Sequence, residues 1–62
     1  MNELSRAVVA ALAFDEPVQL DHLVTTLEPH SASEVIATLF ALECNGVIRQ
    51  LPGKSYIRIW GE

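Results

Sequence analysis

A chain of 62 residues makes one small domain at most, and at that size folding buries only about 60% of the surface the unfolded chain exposes. Half of the residues are apolar, which is too many for a disordered tail, and no apolar run approaches the roughly 20 residues that span a bilayer. The formal net charge is −4, a balance that works against generic attraction to a phosphate backbone.

Leu4, Val8, Ala11 and Leu12 recur at helical spacing, with Val9 beside them, so the segment from Leu4 to Phe14 is read as a first helix. It is expected to stop in Asp15-Glu16-Pro17, because proline forces the residue before it out of helical geometry. Val18 to Leu20 then reads as a short edge strand. Asp21 is a suitable N-cap for a second helix that carries Leu23, Val24 and Leu27 on one face. Pro29 closes that helix, and Glu28, Pro29 and His30 form the turn to the next one.

The third helix has the clearest signals. Ser31 and Glu34 stand at capping-box spacing, where hydroxyl and carboxylate each satisfy an orphan backbone N–H. Val35, Ile36, Leu39 and Leu42 form its expected core stripe. Asn45-Gly46 supplies the stop, with Gly46 free to take the left-handed conformation and Val47 placed to pack back on Leu42. From there the period changes from helical to alternating. Val47 to Leu51 and Tyr56 to Trp60 are predicted as two strands joined by Pro52-Gly53-Lys54-Ser55, a β-hairpin. Helix, short strand, helix, helix, hairpin is the order of a winged helix-turn-helix. The fold class is therefore α+β, with three helices and a C-terminal hairpin wing, as one domain over residues 1–62 and without repeats, linkers or low-complexity tracts.

From Asp21 to Arg58 the chain resembles the C-terminal winged-helix domain of the bacterial DNA-processing protein A family (DprA, also called Smf). The residues that carry the resemblance are Asp21-His22-Leu23, Ser31-Ala32-Ser33-Glu34-Val35, Leu39 through Leu42-Glu43, Gly46-Val47-Ile48-Arg49, Leu51-Pro52-Gly53 and Tyr56. The first helix fits as well, so the likeness covers nearly the whole chain. One departure lies between the second and third helices. The family has a Thr-Gly-Leu type turn there, whereas this chain reads Thr26-Leu27-Glu28-Pro29-His30, without the glycine and one residue longer. The resemblance implies a parent whose separate Rossmann-like domain binds single-stranded DNA and helps load RecA in natural transformation. It also implies that the winged helix is an accessory module that contacts DNA or other protein surfaces.

The inventory for chemistry is thin. His22, His30 and Cys44 are the soft metal ligands, and no two stand at a zinc-type spacing, so neither a metal nor a cofactor is expected. Cys44 late in a helix and two histidines at a helix start and a turn do not make a nucleophile and base. Asp15-Glu16 reads as solvated loop charge, and glycines at 46, 53 and 61 form no phosphate loop. An enzyme is not expected. A single cysteine, with no basic segment and apolar stretch at the N-terminus, points to a reducing cytoplasm and away from secretion or a membrane.

Two surfaces are candidates for binding. Away from the core stripe the third helix carries Ser33, Glu34, Ala37, Thr38, Ala41 and Cys44. It lacks the Arg, Lys, Asn or Gln that read base edges. Ala37, Phe40, Ala41 and Cys44 form a weakly polar strip suited to a protein surface, unless Phe40 simply widens the core. The second surface is the wing. Strict alternation puts Arg49, Leu51, Tyr56, Arg58 and Trp60 on one face and Ile48, Ile57 and Ile59 on the other. With the isoleucines turned to the helices, Arg49, Tyr56 and Arg58, plus Lys54 at the tip, form a candidate contact for single- or double-stranded DNA. The other reading gives Arg49 or Arg58 to Glu43 as an ion pair, and Tyr56 and Trp60 to the core or a partner. The expected partners are thus DNA, bound without sequence preference, or a protein surface. That surface is either the Rossmann-like domain of a parent or another copy of the chain, and Trp60 joins the protein-contact candidates.

Overall fold

A computed structural model describes residues 2–60, so that Met1, Gly61 and Glu62 lie outside the described part. The elements follow the expected order: α1 (Glu3–Ala11), β1 (Val18–Gln19), α2 (Leu20–Thr26), α3 (Ala32–Cys44), β2 (Ile48–Leu51) and β3 (Ser55–Arg58). The strands form one antiparallel sheet in the order β1-β3-β2, with β1 and β2 at its edges. Three helices with a small antiparallel sheet make this an α+β winged helix.

Each helix boundary has a local cause. Asn2 caps α1 by accepting the Ser5 N–H at 2.8 Å. At the other end α1 stops at Ala11, before the predicted Phe14, because Leu12 is extended. The chain beyond it is drawn into the sheet's neighbourhood: the Ala13 carbonyl accepts the Arg58 N–H at 2.9 Å. Asp21 is not the cap of α2. The helix begins at Leu20 with Gln19 as N-cap, and no side chain bonds its first turn. The Leu20 N–H donates instead to the Lys54 carbonyl at 2.9 Å, so that the hairpin tip, not an aspartate, fixes where α2 starts.

The α2–α3 connection contains a cis Glu28-Pro29 bond, and the His30 N–H donates to the Leu27 carbonyl at 3.0 Å. The capping box of α3 is complete. Ser31 Oγ accepts the Glu34 N–H at 3.1 Å, and Glu34 Oε1 accepts the Ser31 N–H at 2.9 Å. At the far end Gly46 has φ +78°. The Gly46 N–H donates to the Glu43 carbonyl and the Val47 N–H to the Leu42 carbonyl, both at 3.0 Å. That pair of bonds is the Schellman closure, which requires a left-handed residue where glycine carries no steric penalty.

The core lies between the helices and one face of the sheet: Val8, Val9, Leu12, Leu23, Leu27, Val35, Leu39, Leu42, Ile48 and Tyr56. Three of the four residues expected in the α3 stripe are there. Ile36 is not; it is 47% exposed. Leu4, Ala7, Ala11, Val18, Leu20, Val24 and Val47 pack around this cluster.

Candidate functional site

The hairpin register decides what the wing can present. Leu51 pairs with Ser55, Gln50 with Tyr56, Arg49 with Ile57 and Ile48 with Arg58. The loop is therefore the three residues Pro52, Gly53 and Lys54, and not a four-residue turn ending in Ser55. Proline followed by glycine at φ +86° suits a tight turn, and Lys54 then takes φ +59°. One residue fewer in the loop reverses the relation between the strands, because side chains alternate with period two. Directly paired residues share a face. Ile48, Gln50, Tyr56 and Arg58 thus lie together, and Arg49, Leu51, Ser55 and Ile57 lie together on the other side. The predicted shared face of Arg49, Leu51, Tyr56, Arg58 and Trp60 does not exist.

The consequences fall residue by residue. Tyr56 is 7% exposed and belongs to the core together with Ile48. Its burial, and then the negative charge of Glu43, push the phenol pKa above 10.0. Arg58 is half-buried, and its guanidinium carbon lies 4.8 Å from the centroid of the Phe14 ring. That is within cation–π range. No signal in the sequence ties Phe14 to Arg58, since the pairing depends on α1 ending early. Arg49 and Lys54 are exposed. Arg49 stands on the outer sheet face between the half-buried Leu51 and Ile57, and forms no ion pair with Glu43 among the described residues. Trp60 lies past the end of β3 and is 68% exposed; its N–H and that of Ile59 both donate to the Val47 carbonyl.

The outer side of α3 is more uniform. Phe40 is 68% exposed and does not widen the core. At about 100° per residue, Phe40 and Ile36 lie next to Ala37, Ala41 and Cys44, all exposed. Ser33 is exposed at the start of the strip, while Thr38 is half-buried at the helix flank. Glu34 borders the strip on one side and Glu43 on the other. Glu34 is held as a carboxylate: hydrogen bonds from the Ser31 backbone, then from its side chain, and more weakly the charge of His30, lower its pKa below 4.5. His30 Nδ1 lies 4.0 Å from Glu34 Oε1.

Among the described residues no three His, Cys, Asp or Glu side chains gather as a metal group would, and no helix is long and apolar enough to cross a membrane. A notch between Gln19, Leu20, Asp21, Gly53 and Lys54 holds about 90 Å³, well below the roughly 300–1,000 Å³ of small-molecule pockets.

The sequence model of the family described as the DprA winged helix domain matches residues 2–54. No curated protein matches the chain, and no solved structure does either.

Proposed function

The chain belongs to the family of DprA winged helix domains, and from that premise we propose that it is an accessory domain of a DNA-processing protein that acts through protein contact on α3. One observation carries this reading. The helix that a helix-turn-helix reader would insert in the major groove exposes Ile36 and Phe40 between two glutamates and has no lysine or arginine. Such a surface is repelled by phosphates and attracted to apolar partners. The wider context is cytoplasmic handling of single-stranded DNA and RecA loading in natural transformation, the steps carried out by the Rossmann-like domain of a parent.

A second reading has its own observation. Arg49 and Lys54 are both exposed and lie in the hairpin, half of the basic residues of an acidic chain. They would give weak, sequence-independent contact with DNA. Two charges are few for that purpose, and burial withdraws Tyr56 as a stacking platform.

An NMR titration separates the two. The isotopically labelled domain is mixed with the Rossmann-like domain of a DprA-family protein, and separately with short oligonucleotides at low salt. Shifts in the amides from Ile36 to Cys44 with the protein, lost in Phe40→Ser, are the expected result. Shifts at Arg49 and Lys54 with oligonucleotide, fading as salt rises, together with a silent α3, would replace it by the second reading.

A further inference from the structure

We propose that the α3 strip takes a partner surface that is apolar at its centre and rimmed by lysine or arginine. This rests on reading α3 as a protein-contact surface and adds the chemistry of what lies across it.

The argument is one of charge complementarity. Ile36, Ala37, Phe40, Ala41 and Cys44 are exposed and uncharged, and the helical wheel places Glu34 and Glu43 on opposite sides of them. The acidity extends well beyond these two. From Ala7 to Ile48 the sequence contains Asp15, Glu16, Asp21, Glu28, Glu34 and Glu43 and not one lysine or arginine. All six carboxylates are exposed. Apart from the exposed Arg6 in α1, the helical part of the molecule is thus negative, with an apolar strip along α3, while Arg49, Lys54 and Arg58 lie in the hairpin. A partner that covered the strip with an acidic or neutral rim would leave Glu34 and Glu43 against low-dielectric surface without a counter-charge, which is costly.

The same reasoning disfavours a second copy. Two α3 strips facing each other would bring four carboxylates to one interface and no lysine or arginine of α3 to balance them. The same carboxylates repel a phosphate backbone from this face. A basic rim, by contrast, supplies opposite charges at the two places where the strip ends.

The test uses two synthetic amphipathic helical peptides that share one leucine stripe. One is flanked by lysines and the other by glutamates. Each is titrated into the labelled 62-residue domain and followed by amide shifts. The lysine-flanked peptide is expected to shift the amides from Ile36 to Cys44 in a saturable way, and the glutamate-flanked peptide is expected to leave them in place. Phe40→Ser should weaken the lysine peptide by about tenfold or more, as for an aromatic anchor. The double variant E34Q/E43Q should weaken it by roughly two- to thirtyfold, the range for two exposed charge pairs. Glutamine at position 34 still serves a capping box, so this variant keeps its fold.

Equal binding of both peptides on α3, or no response to E34Q/E43Q, overturns the basic rim while leaving α3 as a protein-contact surface. The basic rim falls in the same way if the α3 amides move with protein concentration alone, which would make a second copy the occupant. If neither peptide moves α3, both the partner chemistry and the contact surface are overturned.

Discussion

Leu39 and Phe40 are adjacent in α3 and have opposite surroundings, 1% and 68% exposed, so truncating each to alanine separates core from contact surface. Leu39→Ala removes a fully enclosed side chain, which costs about 2–5 kcal/mol once the residual cavity is included. A protein of this length has a total stability of roughly 3–9 kcal/mol, taking about 0.05–0.15 kcal/mol per residue. The variant should therefore lose most of its margin. At about 4–8 °C per kcal/mol for a domain of this size, its Tm should drop by roughly 10–40 °C. Phe40 stands differently. An enclosed phenylalanine buries about 150–250 Å², and with a third of that covered, roughly 50–80 Å² at about 25 cal/mol/Å² gives 1–2 kcal/mol as an upper bound. Alanine's higher helix propensity returns about 0.5 kcal/mol, so Phe40→Ala should cost at most about 1.5 kcal/mol. Thermal and urea unfolding followed by far-UV circular dichroism measure both. Equal losses in the two variants would mean that Phe40 is part of the core and that α3 has no free apolar strip.

Two further perturbations test local chemistry, and a third tests the burial of the single tyrosine. Ser31→Ala removes the acceptor for the Glu34 N–H and should cost about 1 kcal/mol, within the range of roughly 0.5–2 for such caps; a Tm equal to that of the parent would show that the box does not hold α3. Because the Glu34 pKa is lowered in the folded state, its contribution is present above the ordinary value of 4.5 and is lost as pH falls through the lowered one. The stability difference between the parent and Glu34→Gln should shrink across that acid window, and a difference independent of pH there would remove the carboxylate's role. Tyr56, the single tyrosine, has its pKa raised, so its contribution is complete below 10.0 and is lost as pH rises through the folded value. Ultraviolet titration of the phenol should give a midpoint above 10.0 in the native protein and near 10 in denaturant; a native midpoint at or below 10.0 would contradict its burial.

The order of elements is legible in the sequence because each signal is local. The Ser31–Glu34 spacing, the Asn45-Gly46 stop and the change of period after Val47 each act within a few residues, and all three are in place. What is not legible depends on distant partners. Asp21 is a good cap by type, but the Lys54 carbonyl takes the Leu20 N–H and starts α2 earlier. The faces of the wing turn on a single residue. Pro52-Gly53-Lys54-Ser55 as a four-residue turn and Pro52-Gly53-Lys54 as a three-residue loop are both compatible with the composition, yet they place Tyr56 on opposite faces. Of the candidate site residues, Ala37, Phe40, Ala41 and Cys44 are gathered on one exposed strip that Ile36 joins, whereas Arg49 and Lys54 are separated from Tyr56 and Arg58. Ile36 escapes a reading by pattern because its position on the wheel, at the border of the core stripe, fits either side.

The sheet order has a bearing on how the chain is made. β3 is the last strand in sequence and the middle one in space, since it pairs with β1 through Val18 and Tyr56 and with β2 through the hairpin. Until Ser55 to Arg58 have left the ribosome, β1 and β2 have nothing between them and the Ala13 carbonyl lacks the Arg58 N–H. The helices can form earlier as local structure, but the sheet waits for β3. A nascent chain halted before β3 emerges would leave Val18 without Tyr56 and Ile48 without Arg58 across the sheet. The sheet therefore closes only after its middle strand has been made.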